Sequence, residues 1–533
     1  MEMKFPKKFF SSDMISGWHF YALIAASYYL VWLLPRLPAI YGFSLHFDDF
    51  NIYAINIERT FCNVPPPDYR WVTFGLLCAL EKIIPDWSAM VWPKLLAGGF
   101  IALFATLIAR QLVKWSIPIL IAFFAPIFFI SHPIINEISL WNTTMPFPLW
   151  LSLTVIIYDL VGLDRSLWTR SLGGLLMIIV VLAYEIYLSF FLVLILAEVV
   201  FLRLEGKPID WPQVKNRLLF FISIAIFYII QVSLTKWYFG ITSGRGLVEI
   251  TSFSSYFDAK MHGIFNLVVN CYMPIIAYYS GIEFAWSAWK WIPLSMSGMI
   301  LLFGFLARRP VAEVLALFAF SLILPVVPTL PLLLASQSAE SWRVSVPVLV
   351  AVILVFVLLM TLVWQAVDRI DGKGLIGAAT IKAMALVFSL GILIIEMPVT
   401  HAEAKLRAFE ANADRSLSQF IEGYWLARGL TKDNYHVGVI TSLDLPAILP
   451  DEQQRASQLS VAYHQRGRSS ALEQDYSWRG FLMLHDFKPI ELNDSESGVR
   501  EACANKTKRC RLDLTDYSKR IPVFGYYLPI IWK

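Results

Sequence analysis

Eleven mostly apolar stretches, at 18–37, 90–112, 116–132, 144–163, 172–184, 187–204, 218–234, 292–306, 311–333, 344–364 and 376–396, limit what this sequence can fold into. A helix needs roughly 20 apolar residues to cross the hydrocarbon core of a bilayer. In lipid the backbone must satisfy its own polar groups, so runs of this kind cross as helices. With 57% hydrophobic and 16% charged residues among 533, a soluble fold could not cover the apolar surface. The chain therefore reads as a mostly α, polytopic membrane protein with about eleven transmembrane helices. The runs at 172–184 and 187–204 are close enough to form a tight helical hairpin around Tyr184–Tyr187.

Positive charge orders these spans. Lys4, Lys7 and Lys8 precede the first, which predicts a cytoplasmic N-terminus. Arg110 and Lys114, Arg165 and Arg170, Arg203 with Lys207, Lys215 and Arg217, Arg308 with Arg309, and Arg369 with Lys373 then fall on the same, cytoplasmic side. Counting 257–280 as a further span would export Arg308 and Arg309, so it reads as a re-entrant or interfacial helix. The first span is long enough to remain in the membrane, and no small-residue cleavage site follows it. A net charge of +4, with no long basic run, gives no indication of nucleic-acid binding.

After 398 the composition turns polar. The sequence thus divides into a transmembrane domain, 1–398, and a small α/β domain, 399–533. The latter shows a helical period at 406–426 and strand-like runs in "YHVGVITSL", "FLMLHDF" and "FGYYLPIIW". An odd number of spans places it outside. Cys503 and Cys510, bracketing "CANKTKRC", are disulfide candidates there, while Cys62, Cys78 and Cys271 are scattered and read as unpaired.

Sorted by side, the exoplasmic polar residues are Asp48, Asp49, Glu58, Arg70, His132, Glu137, Glu185, Lys236, Arg245, Lys260, His262, Glu340 and Arg343. Many lie near span ends, where an ionised group must pair, reach water or line a cavity. Acids and bases together on one membrane face suit sugar transfer from a polyprenyl phosphate. A carboxylate takes the proton of the acceptor hydroxyl as it attacks the anomeric carbon. Cations meanwhile hold the phosphate as charge builds on the leaving group. Asp48 or Asp49 fits the base, and Arg70, Lys260 or Arg343 the phosphate contacts. Plainer roles stand beside these: a solvated loop start or N-cap for the acid pair, and a cap or interface role for His132 before Pro133. Glu137 and Glu185 are equally suited to structural pairing, and Arg343 to snorkelling. "DD" is not the DxD order of a metal-dependent nucleotide-sugar site, so no metal is expected.

The N-in first span, "FDDFNI" after it and the amphipathic "DYRWVTFGLLCALEKIIPDW" before the second span resemble GT-C glycosyltransferases. More narrowly, the layout is similar to the phage- and island-encoded O-antigen glucosyltransferases of the Gtr type. There an acid pair is followed by a basic-aromatic step (here Arg70–Trp71), a mid-chain tyrosine-plus-polar pair ("AYEIYLSF") and an arginine opening a late span ("ESWRV"). This chain carries Tyr184–Glu185 where the family has tyrosine–glutamine. The resemblance implies an inverting enzyme in the bacterial inner membrane. Its donor is an undecaprenyl-phosphate sugar (glucose, in the narrowest form) and its acceptor periplasmic lipopolysaccharide O-antigen. A flippase and a donor-synthesising glycosyltransferase are implied as partners, with no cofactor beyond the lipid carrier. It makes Asp48 and Asp49 catalytic and turns Arg343 to phosphate. Two other readings remain: an O-antigen polymerase or ligase working from a polyprenyl-pyrophosphate carrier, and a lipid-linked sugar transporter or flippase. Polymerases and ligases concentrate function in a late periplasmic loop, and transporters keep polar residues near the midplane.

Overall fold

In a computed structural model, the described residues are 18–42, 71–84, 87, 90–239, 253–280, 291–331, 342–371, 393–408, the positions 383, 387, 391, 411, 412, 415 and 419, and 436–442, 488–489 and 526–532. Helices dominate them. In chain order they are α1 (Trp18–Tyr41), α2 (Trp71–Ile83), α3 (Trp92–Lys114), α4 (Ile119–Ser131), α5 (Asn136–Ser139), α6 (Phe147–Leu160), α7 (Leu167–Ala183) and α8 (Ile186–Leu204). There follow α9 (Trp211–Phe239), α10 (Phe253–Asn270), α11 (Met273–Ser280), α12 (Trp291–Leu306), α13 (Val311–Ile323) and α14 (Trp342–Asp371). Residues 393–408 form a last helix, α15, which runs through position 398, where the composition changes.

Among the described residues, six helical stretches are long and apolar enough to cross a bilayer, or seven if α4 and the bent segment after it make one span. The shorter apolar helices α6, α7 and α12 accompany them. The chain is a mostly helical, polytopic membrane protein. The break between α7 and α8 falls at Tyr184–Glu185, as the tight hairpin requires. Helices α10 and α11, separated at Cys271–Tyr272, cover most of 257–280, and neither is among the spanning stretches.

Burial orders the bundle. The apolar window of α14 is 89% buried and that of α9 only 17%, so α14 is central and α9 faces outward. Exposed aromatics mark the ends of the outer helices: Trp18 and Tyr41 on α1, Trp211, Trp237 and Tyr238 on α9. At 1.5 Å rise per residue, Trp18 and Tyr41 lie roughly 35 Å apart along the axis. That spacing suits side chains resting at the two interfaces of a hydrocarbon core about 30 Å thick. Helix α1 packs closely on α3: a Cβ at Gly98 would come within 2.2–2.5 Å of the buried Trp32 ring, so only glycine admits that indole.

Two polar networks stitch opposite ends of the bundle. At one end Glu198 accepts from Tyr158 and pairs with Arg217, whose guanidinium lies 4.0 Å from the Tyr158 ring centroid. Close by, Lys114 reaches Asp159 at 2.5 Å and Gln111 donates to the same carboxylate at 2.7 Å. The other end is the candidate site.

In the C-terminal region, β1 (His436–Ser442) pairs antiparallel with β3 (Tyr526–Trp532) and parallel with β2 (Lys488–Pro489), giving the order β2-β1-β3. Strands β1 and β3 fall on two runs with strand-like periodicity, and β2 directly follows the third. The helical stretch at 406–426 and both disulfide candidates, Cys503 and Cys510, lie largely or wholly outside the described residues.

The sequence-based expectation for Cys78 is corrected. On α2 it is disulfide-bonded, while Cys271 is free and buried. The sequence shows only a scattered cysteine, because pairing depends on which chain segment folds back against α2. Alkylating the denatured protein before and after reduction is expected to label Cys78 only in the reduced sample, read by peptide mass.

Candidate functional site

Proline shapes the end of the bundle where α1 stops. In "SHPII" the residue before Pro133 is pushed out of the helical region, and His132 takes φ −66 and ψ 136. That ends α4 and turns the chain by 61° into the short helical segment Pro133–Ser139. His132 then caps the new turn: its Nδ1 accepts from the Ile134 N–H at 3.2 Å, and its Nε2 lies 3.0 Å from the Cys271 carbonyl, to which it donates. Both ring nitrogens are occupied, the neutral imidazole's full complement. Residues 131–142 are buried throughout, an uncommon state for a connection between helices.

Arg36 enters this wedge from α1, between Pro35 and Pro38. It is wholly buried, and its fork donates to Asn136 Oδ1 at 2.6 Å, the Trp32 carbonyl at 2.9 Å and the His132 carbonyl at 3.2 Å. Asn136 passes the connection on, donating to Glu403 Oε2 at 2.6 Å, and Arg407 closes the chain on Glu403 Oε1 at 2.8 Å. Glu396 accepts from Ser131 Oγ, and Thr400 donates to the Ser131 carbonyl at 2.5 Å. The other Glu396 oxygen is buried without a partner among the described residues.

Positions 396, 400, 403 and 407 are spaced 4, 3 and 4 apart, which places them on one face of α15. One ion pair lies in this set, Arg407 to Glu403 at 2.8 Å, while Arg36 and Glu396 are bonded to neutral groups. Pairing and hydrogen bonding are what let charges persist in an apolar interior.

The sequence-derived candidates divide around this network. His132 belongs to it, and Glu137, buried on α5, follows Asn136 directly, its backbone carbonyl accepting from the Thr144 hydroxyl at 3.2 Å. Tyr184 is buried elsewhere in an aromatic group, its ring centroid 4.8 Å from Phe147 and 5.5 Å from Tyr187, and Glu185 is half-buried at the start of α8. Lys260 is buried on α10, its Nζ 5.9 Å from the Tyr256 ring centroid, and burial pulls its ammonium below the usual lysine range. Arg343 opens α14. Asp48, Asp49 and Arg70 lie outside the described residues. Among the described residues no group of three or more His, Cys, Asp or Glu could hold a metal ion.

Arg36, Ser131, Asn136, Glu396, Thr400, Glu403 and Arg407 were not among the sequence candidates. Two signals pointed to them: a charge inside the apolar run "VWLLPRLPAI", and the helical spacing of Glu396, Thr400, Glu403 and Arg407. Comparison with protein-family models, with curated proteins and with solved structures found no match.

Proposed function

We propose that this protein is an inverting membrane glycosyltransferase of the GT-C kind. It moves a sugar from a polyprenyl-phosphate donor to a periplasmic glycan such as lipopolysaccharide O-antigen. The observation that carries this reading is the buried, hydrogen-bonded polar network at the end of α1, the helix that precedes the acid pair in the sequence. Asp48 and Asp49 follow Tyr41, its last residue, by seven and eight positions. One of them removes the acceptor hydroxyl proton as that oxygen bonds to the anomeric carbon. The bond from that carbon to the phosphate oxygen breaks, and the lipid phosphate leaves with the electron pair, held by Arg70, Lys260 or Arg343.

In this reading the N-terminus is cytoplasmic and the C-terminal region periplasmic. The Cys78 disulfide supports that orientation, because the segment between the first two spans then faces an oxidising compartment. The transporter reading draws on Arg36 and Glu396, charges buried among apolar helices. The bonding of Arg36 weighs against it, since each of its three nitrogens donates to a fixed protein acceptor.

The test is transfer of labelled sugar from polyprenyl phosphate to lipopolysaccharide by purified protein in lipid nanodiscs. Label appearing in the glycan supports the proposal. Transfer only from a pyrophosphate-linked glycan would favour the polymerase or ligase, and flux across vesicles without new linkages the transporter.

A further inference from the structure

We propose that α15 is a strut that sets the direction of the last two turns of α1, with Arg36 and Glu403 as positioning residues for the reaction; this rests on the glycosyltransferase reading. Four separate contacts lay α15 and the residues after it along α1. His401 Nδ1 donates to the Pro35 carbonyl at 3.1 Å. Glu403 grips Arg36 through Asn136. The Ala408 methyl sits so near Gly42 that a Cβ there would approach it to 2.8 Å. Arg415 donates to the Gly42 carbonyl at 2.5 Å.

These contacts fall where α1 is weakest by itself. Pro35 and Pro38 remove two backbone donors from its final turns, and such helices hold their course only when neighbours supply replacement contacts. The neighbour here belongs to the far end of the sequence: the Asn136–Glu403 bond spans 267 residues and the Arg415–Gly42 bond 373. The C-terminal part of the chain thereby takes hold of the helix that precedes the acid pair by seven residues in the sequence. A reacting group displaced by about 1 Å can lose as much as ~10²-fold in rate, so releasing the strut acts on turnover rather than on donor binding.

The experiment compares full-length wild type, Glu403→Gln, Glu403→Asp and Glu198→Gln in nanodiscs. Glu198 lies in the network at the opposite end of the bundle and serves as a control for lost stability. Glu403→Gln is expected to lower kcat by on the order of 10-fold with the donor KM within about twofold, and to speed tryptic cleavage after Lys405, Arg407 or Arg415. Glu403→Asp restores both in part. Glu198→Gln lowers the melting temperature and leaves kcat near wild type. The strut is overturned if cleavage in this segment is unchanged by Glu403→Gln, if cleavage speeds up while kcat holds, or if Glu198→Gln loses as much kcat. Should wild type transfer no sugar from any donor, the functional reading and the positioning role fall together, whereas α15 docking is still decided by proteolysis.

Discussion

Replacing Asp48 or Asp49 by asparagine is expected to cut sugar transfer by ~10²-fold or more in one variant and far less in the other. Asparagine keeps the size and hydrogen-bonding capacity of aspartate but cannot accept the proton that the attacking hydroxyl must lose. On the proposed mechanism the loss belongs in kcat, with the donor KM little changed, because that mechanism assigns the phosphate contacts to other side chains. Initial rates at saturating donor, with each variant matched for membrane insertion, measure it. The deficient variant names the base, and its partner is left with an electrostatic or positioning role. If both retain wild-type turnover, the acid pair is a loop start and nothing more, and the catalytic assignment fails.

The second large effect concerns stability. Arg36→Met is expected to destabilise the protein by about 3–5 kcal/mol, at roughly 1–3 kcal/mol for each buried acceptor left without its donor. The substitution fits the apolar volume but strands the Asn136 oxygen and two backbone carbonyls. It also leaves Glu396 and Glu403 with Arg407 as the network's one remaining cation. Arg36→Lys should recover part of the loss, since an ammonium restores the charge but not the three-way fork. The double variant Arg36→Met/Glu403→Gln should be less damaged than the two single effects summed, because removing both signs spares the uncompensated charge. Unfolding midpoints in mixed micelles of wild type, the three single variants and the double variant measure these effects. A midpoint for Arg36→Met equal to wild type would show that the network contributes nothing.

Much of the helical layout could be read from pattern. The apolar runs at 90–112, 187–204 and 344–364 correspond to α3, α8 and the middle of α14 within a few residues. Their length and composition leave the backbone no other way to satisfy its polar groups in lipid. The turn after α4 was legible in His132–Pro133, since proline restricts the residue before it. Burial of the following residues was not legible. "NEISLWN" carries the polarity of an exposed connection, and its inward position depends on the partners that α1 and α15 supply.

The candidate site divides along the same line. Glu137 and His132 could be found by asking which polar residues stand at span ends. Arg36 could not be placed that way, because a charge within an apolar run announces a need for partners without naming them. Its partner Asn136 lies 100 residues away, and Glu403 lies a further 267 beyond Asn136. The change in composition at 398 suggested a boundary, yet α15 continues through it, because the Glu396 to Arg407 face is polar and still buried. Polarity alone cannot distinguish a solvated face from one matched by an opposite polar face.

Sequence by itself determined that this is a helical membrane protein and, through proline, where some of its helices stop. These properties follow from local chain chemistry meeting lipid, and each can be evaluated over a window of some twenty residues. Only the tertiary structure decided that Arg36, Asn136, Glu403 and Arg407 form one line of hydrogen bonds, that Cys78 is paired, and that the far end of the sequence braces the end of α1. A buried charge is stabilised by whatever the fold brings within about 3 Å of it, and that proximity is a property of packing rather than of spacing along the chain.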